Sequence, residues 1–263
     1  MKKNFSILSL LFGLFVCATV FSACGGGDEP SSGGNGGSGS SDTPQTSKHV
    51  AKIITEDWDF WESSFTYDSQ GRVIKVTETQ SGTGTNSHSE TEYQYGEMLI
   101  ISKMKGEGTY SNGESFTRTE SHSYTLDNGR IVKDEEKQGS SLDPIIHSTT
   151  DTFSYDANNY LASIGSEIIT WSDGNLTKLG NRSFEYSNYP WTKGVLFYLD
   201  GSNMDRCLFA MGYYGNIPKN LPSKTSGYTY DYTFEGSYVT KAVITPFVED
   251  NKRHKSILTI IWE

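Results

Sequence analysis

One short pattern recurs along this chain: an aromatic residue, a turn rich in Gly, Asn and Asp, an apolar residue, and usually a lysine. It reads "FTYDSQGRVIKVTET" at residues 65–79, then "HSYTLDNGRIVKDEEKQ", "FSYDANNYLASIGS", "ITWSDGNLTKLG" and "YTFEGSYVTKAVIT". In the first copy Asp68 opens a type I turn through its side chain, and Gly71 takes the left-handed position that follows. Ile74 and Val76 then fall on one face of the exit strand. Asp127-Asn128-Gly129, Asn158-Asn159, Asp173-Gly174 and Gly236-Ser237 supply the same turn chemistry. This is hairpin chemistry. It predicts an all-β fold, a single antiparallel meander of repeated hairpins in one large twisted or curled, partly barrel-like sheet. Tyr67, Tyr95, Tyr124 and Tyr155 lie roughly thirty residues apart, and Tyr155, Trp171 and Tyr186 roughly fifteen, so the hairpins shorten along the chain.

The stretch "SFTRTESHSYTL" says more about the sheet. Ser115, Thr117, Thr119, Ser121, Ser123 and Thr125 put small hydroxyls on one face, and Phe116, Arg118, Glu120, His122, Tyr124 and Leu126 occupy the other. Neither face is apolar through the middle, so the strand is wet on both sides there or lines a polar interior. "HSETEYQY" is expected beside it, with Tyr93 and Tyr95 on one face and Glu90 and Glu92 placed to pair with Arg118. A lipid-facing strand needs an apolar residue at every second position. Ser and Thr stand there instead, so the sheet is not expected to span a membrane.

The N-terminus gives an address. Lys2 and Lys3 precede an apolar run from Ile7 to Phe21 and then Ser22-Ala23-Cys24, the plan of a secretory signal peptide over residues 1–23. "FSAC" resembles a bacterial lipobox, which implies cleavage before Cys24 and acylation of that residue. Residues 24–47, "CGGGDEPSSGGNGGSGSSDTPQTS", cannot bury enough apolar surface to offset chain entropy and read as a flexible tether. The stretch resembles the tails of Bacteroides-type lipoproteins, in which acids after the lipidated Cys accompany export. Asp28-Glu29 favour the outer face of the outer membrane over the periplasmic one. Residues 48–263 form the β-hairpin domain.

The chain holds 32 acidic against 22 basic residues, for a formal net charge of −10. That excludes a nucleic-acid partner, which takes clustered Lys and Arg. The one basic cluster, "NKRHK" near the end, reads as a solvated hairpin tip. Cys207 is the only thiol left after Cys17 and Cys24, so no intramolecular disulfide is expected, and Cys207 reads as a small buried residue.

Residues 200–227 break the rhythm. Ser202 or Asn203 is placed to cap a short helix near residues 203–211, followed by an extended connection, "YYGNIPKNLPSK". "DGSNMD" lacks an oxygen ligand at Met204 and is not a calcium loop. The short apolar helix, the Gly and "NLPSK" before a final hairpin resemble a family of Bacteroides lipoproteins known as a domain of unknown function with a porin-like β fold. That resemblance implies a curved antiparallel sheet and no assigned activity. "YDSQGR" also resembles the YD repeat of Rhs-type shells, which implies strand–turn–strand geometry and nothing functional.

No nucleophile elbow, zinc-helix motif, phosphate loop or dinucleotide fingerprint occurs, and His49, His88, His122, His147 and His254 show no metal-ligand spacing. No catalytic residue, metal or cofactor is therefore assigned. "EDWDFWE" at residues 56–62 is the candidate ligand-binding cluster. Trp58, Phe60 and Trp61 offer stacking faces beside Asp57 and Asp59, the equipment of a glycan site. The expected function is a lipid-anchored, non-enzymatic binding or structural module of the cell envelope that takes a glycan, peptide or partner protein. The alternative is a glycan-active hydrolase using carboxylates near Trp58 and Trp61.

Overall fold

The computed structural model describes residues 48–263 except 58, 83, 192–203 and 248–253. The expectations for Cys24 and the tether, for Trp58, for Ser202 and Asn203, and for most of "NKRHK" lie outside the described residues. Within them, short alternating runs bounded by turn residues form sixteen strands. In chain order these begin with β1 (Val50–Glu56), β2 (Asp59–Tyr67), β3 (Val73–Gly82), β4 (Thr85–Tyr95), β5 (Leu99–Tyr110), β6 (Ser115–Asp127), β7 (Arg130–Ser140) and β8 (Asp143–Tyr155). Three short strands follow, β9 (Leu161–Ile164), β10 (Glu167–Ser172) and β11 (Asn175–Leu179). Then come β12 (Arg182–Pro190), a helix α1 (Arg206–Ala210), β13 (Asn220–Thr225), β14 (Tyr228–Glu235), β15 (Tyr238–Pro246) and β16 (Ser256–Trp262). Neighbours in sequence are neighbours in the sheet, and β16 pairs antiparallel with β1, so the expected meander closes into a barrel. Closure leaves no unpaired edge. The wall is uneven, because β6 and β8 run 13 residues and β9 only 4.

The repeated pattern has a physical meaning that the barrel makes visible. Each odd-numbered strand opens with an aliphatic residue just past the turn: Val50, Val73, Ile100, Ile131, Leu161, Leu176, Leu221 and Val239, all at most 1% exposed. Together they ring one end of the barrel. Just before the turn, the even-numbered strand carries an aromatic ring whose polar atom donates a hydrogen bond to a backbone carbonyl at the start of the preceding strand. The Tyr67, Tyr95, Tyr155 and Tyr186 hydroxyls reach the carbonyls of Val50 (2.8 Å), Val73 (2.6 Å), Ile131 (2.6 Å) and Leu176 (2.7 Å). Trp171 and Trp262 do the same through Nε1 to Leu161 and Val239, both at 2.8 Å. Tyr232 reaches Pro222, one residue past its aliphatic partner, at 2.6 Å. Such bonds let an aromatic body stay buried with its polar atom satisfied, each contributing on the order of 1 kcal/mol. Burial holds the Tyr67, Tyr155 and Tyr186 hydroxyls well above the ordinary phenol range, so they remain donors. The exception is the third hairpin, where Leu126 stands in the position before the turn and Tyr124 lies one inward step deeper, 1% exposed.

The turns match their chemistry. Asp68 Oδ1 accepts from the backbone N–H groups of Gln70 and Arg72, and Asp156 repeats this with Asn158 and Tyr160. Asn128, Gly129, Asn159, Asp173, Gly174 and Gly236 all adopt positive φ. The arginine of each "GR" pair stacks on the next tyrosine, Arg72 over Tyr95 at 4.5 Å and Arg130 over Tyr155 at 4.7 Å.

Between β12 and β13 the chain leaves the wall and enters the barrel. Its described part is bound on opposite sides of the interior. Arg206 reaches Ser63 and Glu78 on β2 and β3, and Tyr93 of β4 donates to Asp205 at 2.8 Å. The Tyr213 carbonyl accepts from Ile131, Asn216 N–H binds Asn159, and Lys219 N–H binds the Gly174 carbonyl at 2.9 Å. Cys207, Leu208, Phe209, Ala210 and Tyr214 are buried in the core. This inserted plug fills the ringed end.

Four expectations change. The helix is shorter than 203–211 and is capped by Asp205, whose Oδ1 accepts from Cys207 and Leu208 N–H. "NLPSK" is itself β13, with Pro222 at a register shift opposite Tyr186, and three further strands follow it. "HSETEYQY" is not beside β6, because β5 lies between them. Glu90 and Glu92 consequently face outward, where Glu90 pairs with Lys75 at 2.7 Å, whereas Arg118 points inward and pairs with Glu120.

The turn glycines provide a test. Gly71 has φ 74° and its missing Cβ would come within 2.9 Å of the His49 ring; Gly129 has φ 76° with open space around it. Gly129→Val should therefore cost on the order of 1 kcal/mol from backbone strain alone. Gly71→Val should cost more, and Ser69→Ala almost nothing. Thermal melts of the three variants decide this, and equal melting temperatures would contradict the turn assignment.

Candidate functional site

Inward-facing positions change character along the barrel. Near the plug they are apolar, and beyond it they are polar. Register places Gln80 opposite Ser87, Glu78 opposite Ser89, Met104 opposite Glu120 and His122 opposite Glu136. The even face of "SFTRTESHSYTL" is thus the lumen wall, and its hydroxyl face is the outside. Trp61, Gln80, Tyr93, Phe116, Arg118, Glu120, His122 and Asp205 surround a luminal cavity of about 320 Å³. At the end away from the plug, its lining residues Gln80, Ser87 and Phe116 also border a more open space of about 560 Å³ at the rim, whose other sides come from residues of the outward parity, Asn86, Thr109 and Ser115. The result is a cup whose floor is the plug and whose mouth lies at the opposite turns.

Two charge clusters line the cup. At its floor the Arg206 guanidinium donates to Glu78 Oε1 at 2.6 Å and to Ser63 at 3.1 Å, and packs over the Phe65 ring. Burial opposes that charge, but Glu78 together with the Cys207, Tyr93 and Asp205 side chains outweighs it and raises the Arg206 pKa. On the wall, His122 Nδ1 lies 2.9 Å from Asp134 Oδ2 and its Nε2 lies 3.0 Å from Glu120 Oε1, with the ring stacked parallel to Tyr124. Burial works against the imidazolium, but hydrogen bonds and charge from Asp134 and Glu120 push the His122 pKa up to about 10. The His122 hydrogen bond in turn holds Glu120 below the ordinary carboxylate range. Arg118 holds the other Glu120 oxygen at 2.8 Å, and Glu136 accepts from Thr149 and Gln138.

The "EDWDFWE" cluster is divided by the barrel wall. Trp61, 39% exposed, lines the cup, whereas Phe60 has the opposite parity and faces outward. Asp59 accepts from Gln80 Nε2 at 2.9 Å, and Asp57 Oδ1 accepts from the backbone N–H of Asp59. Both carboxylates are engaged in shaping the mouth. The Arg118, Glu120 and His122 set was present in the alternation of one strand. Its partners Asp134 and Glu136 come from the next hairpin arm, which only the register brings opposite.

Cys207 is a free thiol buried at 1% exposure, as expected. Burial, with Asp205 adding to it, pushes its pKa up to about 12 from an open-chain value of 9.0. A raised folded value means that the buried thiol contributes stability fully below pH 9 and progressively less as pH rises toward 12. Native protein at pH 8 should resist maleimide labelling until it is unfolded. The melting-temperature gap between wild type and Cys207→Ala should stay constant below about pH 9 and narrow as pH rises from there toward 12. Rapid native labelling would contradict the burial.

Comparison with known proteins agrees with this architecture. No curated protein matches the chain. A solved structure of a porin-like protein from Bacteroides vulgatus covers 82% of this chain and 99% of its own, at 12% identity and a TM-score of 0.29, too distant to carry an inference. A family profile, the domain of unknown function DUF4595 with porin-like fold, matches residues 65–254. The chain belongs to that family.

Proposed function

We propose that this protein is a lipid-anchored outer-membrane lipoprotein, displayed outward, that binds a glycan in the cup of its barrel without transforming it. The observation that carries the reading is the cup itself. It is closed at one end by the plug and open at the other, and the Trp61 and Phe116 rings line it together with the hydrogen-bonding groups of Gln80, Arg118 and Glu120. Sugars present apolar ring faces and dense hydroxyls, and a concave site mixing aromatic faces with charged donors and acceptors suits both. The volume of about 320 Å³ lies within the range of small-ligand sites.

The lipid anchor rests on "FSAC" and the Gly/Ser-rich tether, and the outward display on Asp28-Glu29. The character of the outer wall supports an anchor outside the barrel. β6 turns Ser115, Thr117, Thr119 and Ser121 outward, and Lys75–Glu90 and Lys133–Glu135 pair across that surface. Hydrocarbon would leave such groups without partners. The non-enzymatic part rests on Asp57 and Asp59, which are held by hydrogen bonds at the mouth instead of facing each other across a bound sugar.

Titrating full-length protein with soluble oligosaccharides, followed by tryptophan fluorescence, tests the cup. A bound glycan should quench or shift the emission, and Trp61→Ala should weaken binding by about 1–3 kcal/mol with little change in melting temperature. Unchanged affinity in Trp61→Ala would remove the luminal site. For the anchor, Cys24→Ser should leave the protein unlipidated and release it from membranes on a salt wash; full retention would refute it.

A further inference from the structure

We propose that Glu120, His122 and Glu136 form a binding site for a divalent transition-metal ion of zinc-like character on the wall of the cup. The proposal is independent of the glycan reading. Glu120 and His122 are two apart on β6 and so share a face, and Glu136 lies directly across from His122 on β7. One ligand atom from each falls within 4.8 Å of the others. The His122 Nε2 to Glu120 Oε1 separation of 3.0 Å is within half an ångström of the edge, about 3.4 Å, of a tetrahedron with bonds of about 2.1 Å.

The surrounding groups orient each of the three side chains. Asp134 holds His122 Nδ1 at 2.9 and 3.1 Å, which fixes the ring and leaves Nε2 as the ligating nitrogen. A carboxylate behind a histidine in this way is the usual support of a metal-bound imidazole. Arg118 binds Glu120 Oε2 and leaves Oε1 toward the centre, and Thr149 steadies Glu136 at 3.0 Å. Without metal, a proton on Nε2 bridges His122 to Glu120. On binding, that N–H bond breaks, the proton passes to solvent, and the nitrogen lone pair goes to the metal. The mixed imidazole and carboxylate set favours zinc, cobalt or nickel over calcium or magnesium, which take oxygen. With three protein ligands on the wall, further coordination positions open into the cavity.

The test uses full-length protein stripped with EDTA and titrated calorimetrically with zinc chloride. We expect one saturable site per chain, weakened about tenfold or more in His122→Gln and Glu136→Gln. Asp134→Asn should weaken it as well without touching the metal, and Glu185→Gln on the outer wall should leave it unchanged. Absence of saturable binding at millimolar zinc, or undiminished affinity in His122→Gln, would overturn the site. Where a variant fails to fold, wild type still decides: zinc should protect His122 from carbethoxylation mapped by mass spectrometry, and equal modification with and without zinc would overturn it.

Discussion

A sheet of sixteen strands closed on itself encloses more space than the side chains of its wall can fill, and the rest of this structure answers that excess. Barrels of about eight strands are filled by their own interior residues, whereas twice that number leaves a channel. Here the excess is met in two ways. At one end, rings of aliphatic and aromatic residues narrow the lumen, and the segment around α1 enters and packs Leu208, Phe209 and Tyr214 against them. At the other end the interior stays open and is lined by polar and charged groups such as Gln80, Arg118, Glu120 and His122. The boundary is chemical as well as spatial: Arg206, Glu78, Tyr93 and Asp205 join plug to wall where the dry part meets the wet.

The aromatic-to-carbonyl hydrogen bond explains why the sequence repeats where it does. A turn needs Gly, Asn or Asp at positive φ, but nothing in turn chemistry requires a tyrosine before it or a valine after it. Those two arise because each hairpin contributes one aromatic and one aliphatic residue to a shared ring. The position is tolerant of Tyr, Trp and, in the third hairpin, Leu126, since the demand is for buried volume first and a donor second.

Much of this was legible from the chain. Turn residues and alternation point to hairpins, and the two-faced polarity of residues 115–126 points either to a strand wet on both sides or to a polar interior, of which the barrel shows the second. Closure was not, because the pairing of Val50 with Trp262 joins the two ends of the sheet and no local pattern encodes it. β5 carries no such signal, because "MLIISKMKGEGTY" begins apolar and ends in glycines, and it is this strand that separates "HSETEYQY" from Arg118. The site suffered in the same way. Trp61 stands out in the sequence by its aromatic neighbours, whereas Glu120, His122, Asp134 and Glu136 look like ordinary surface charges in one dimension. Only the side of the wall they occupy distinguishes them.

The two ends of the barrel are unequal in connection as well as in chemistry. His49 and Glu263 exchange backbone hydrogen bonds of 2.8 and 2.9 Å beside the aliphatic ring, so the polypeptide enters the fold at the sealed floor. The first described residues therefore lie at the underside of the cup, and a pull applied to them loads the strand that completes the circle. Force would be borne first by the β1 and β16 seam, one hydrogen-bonded pair at a time, while the mouth and its lining stay outside the path of the strain.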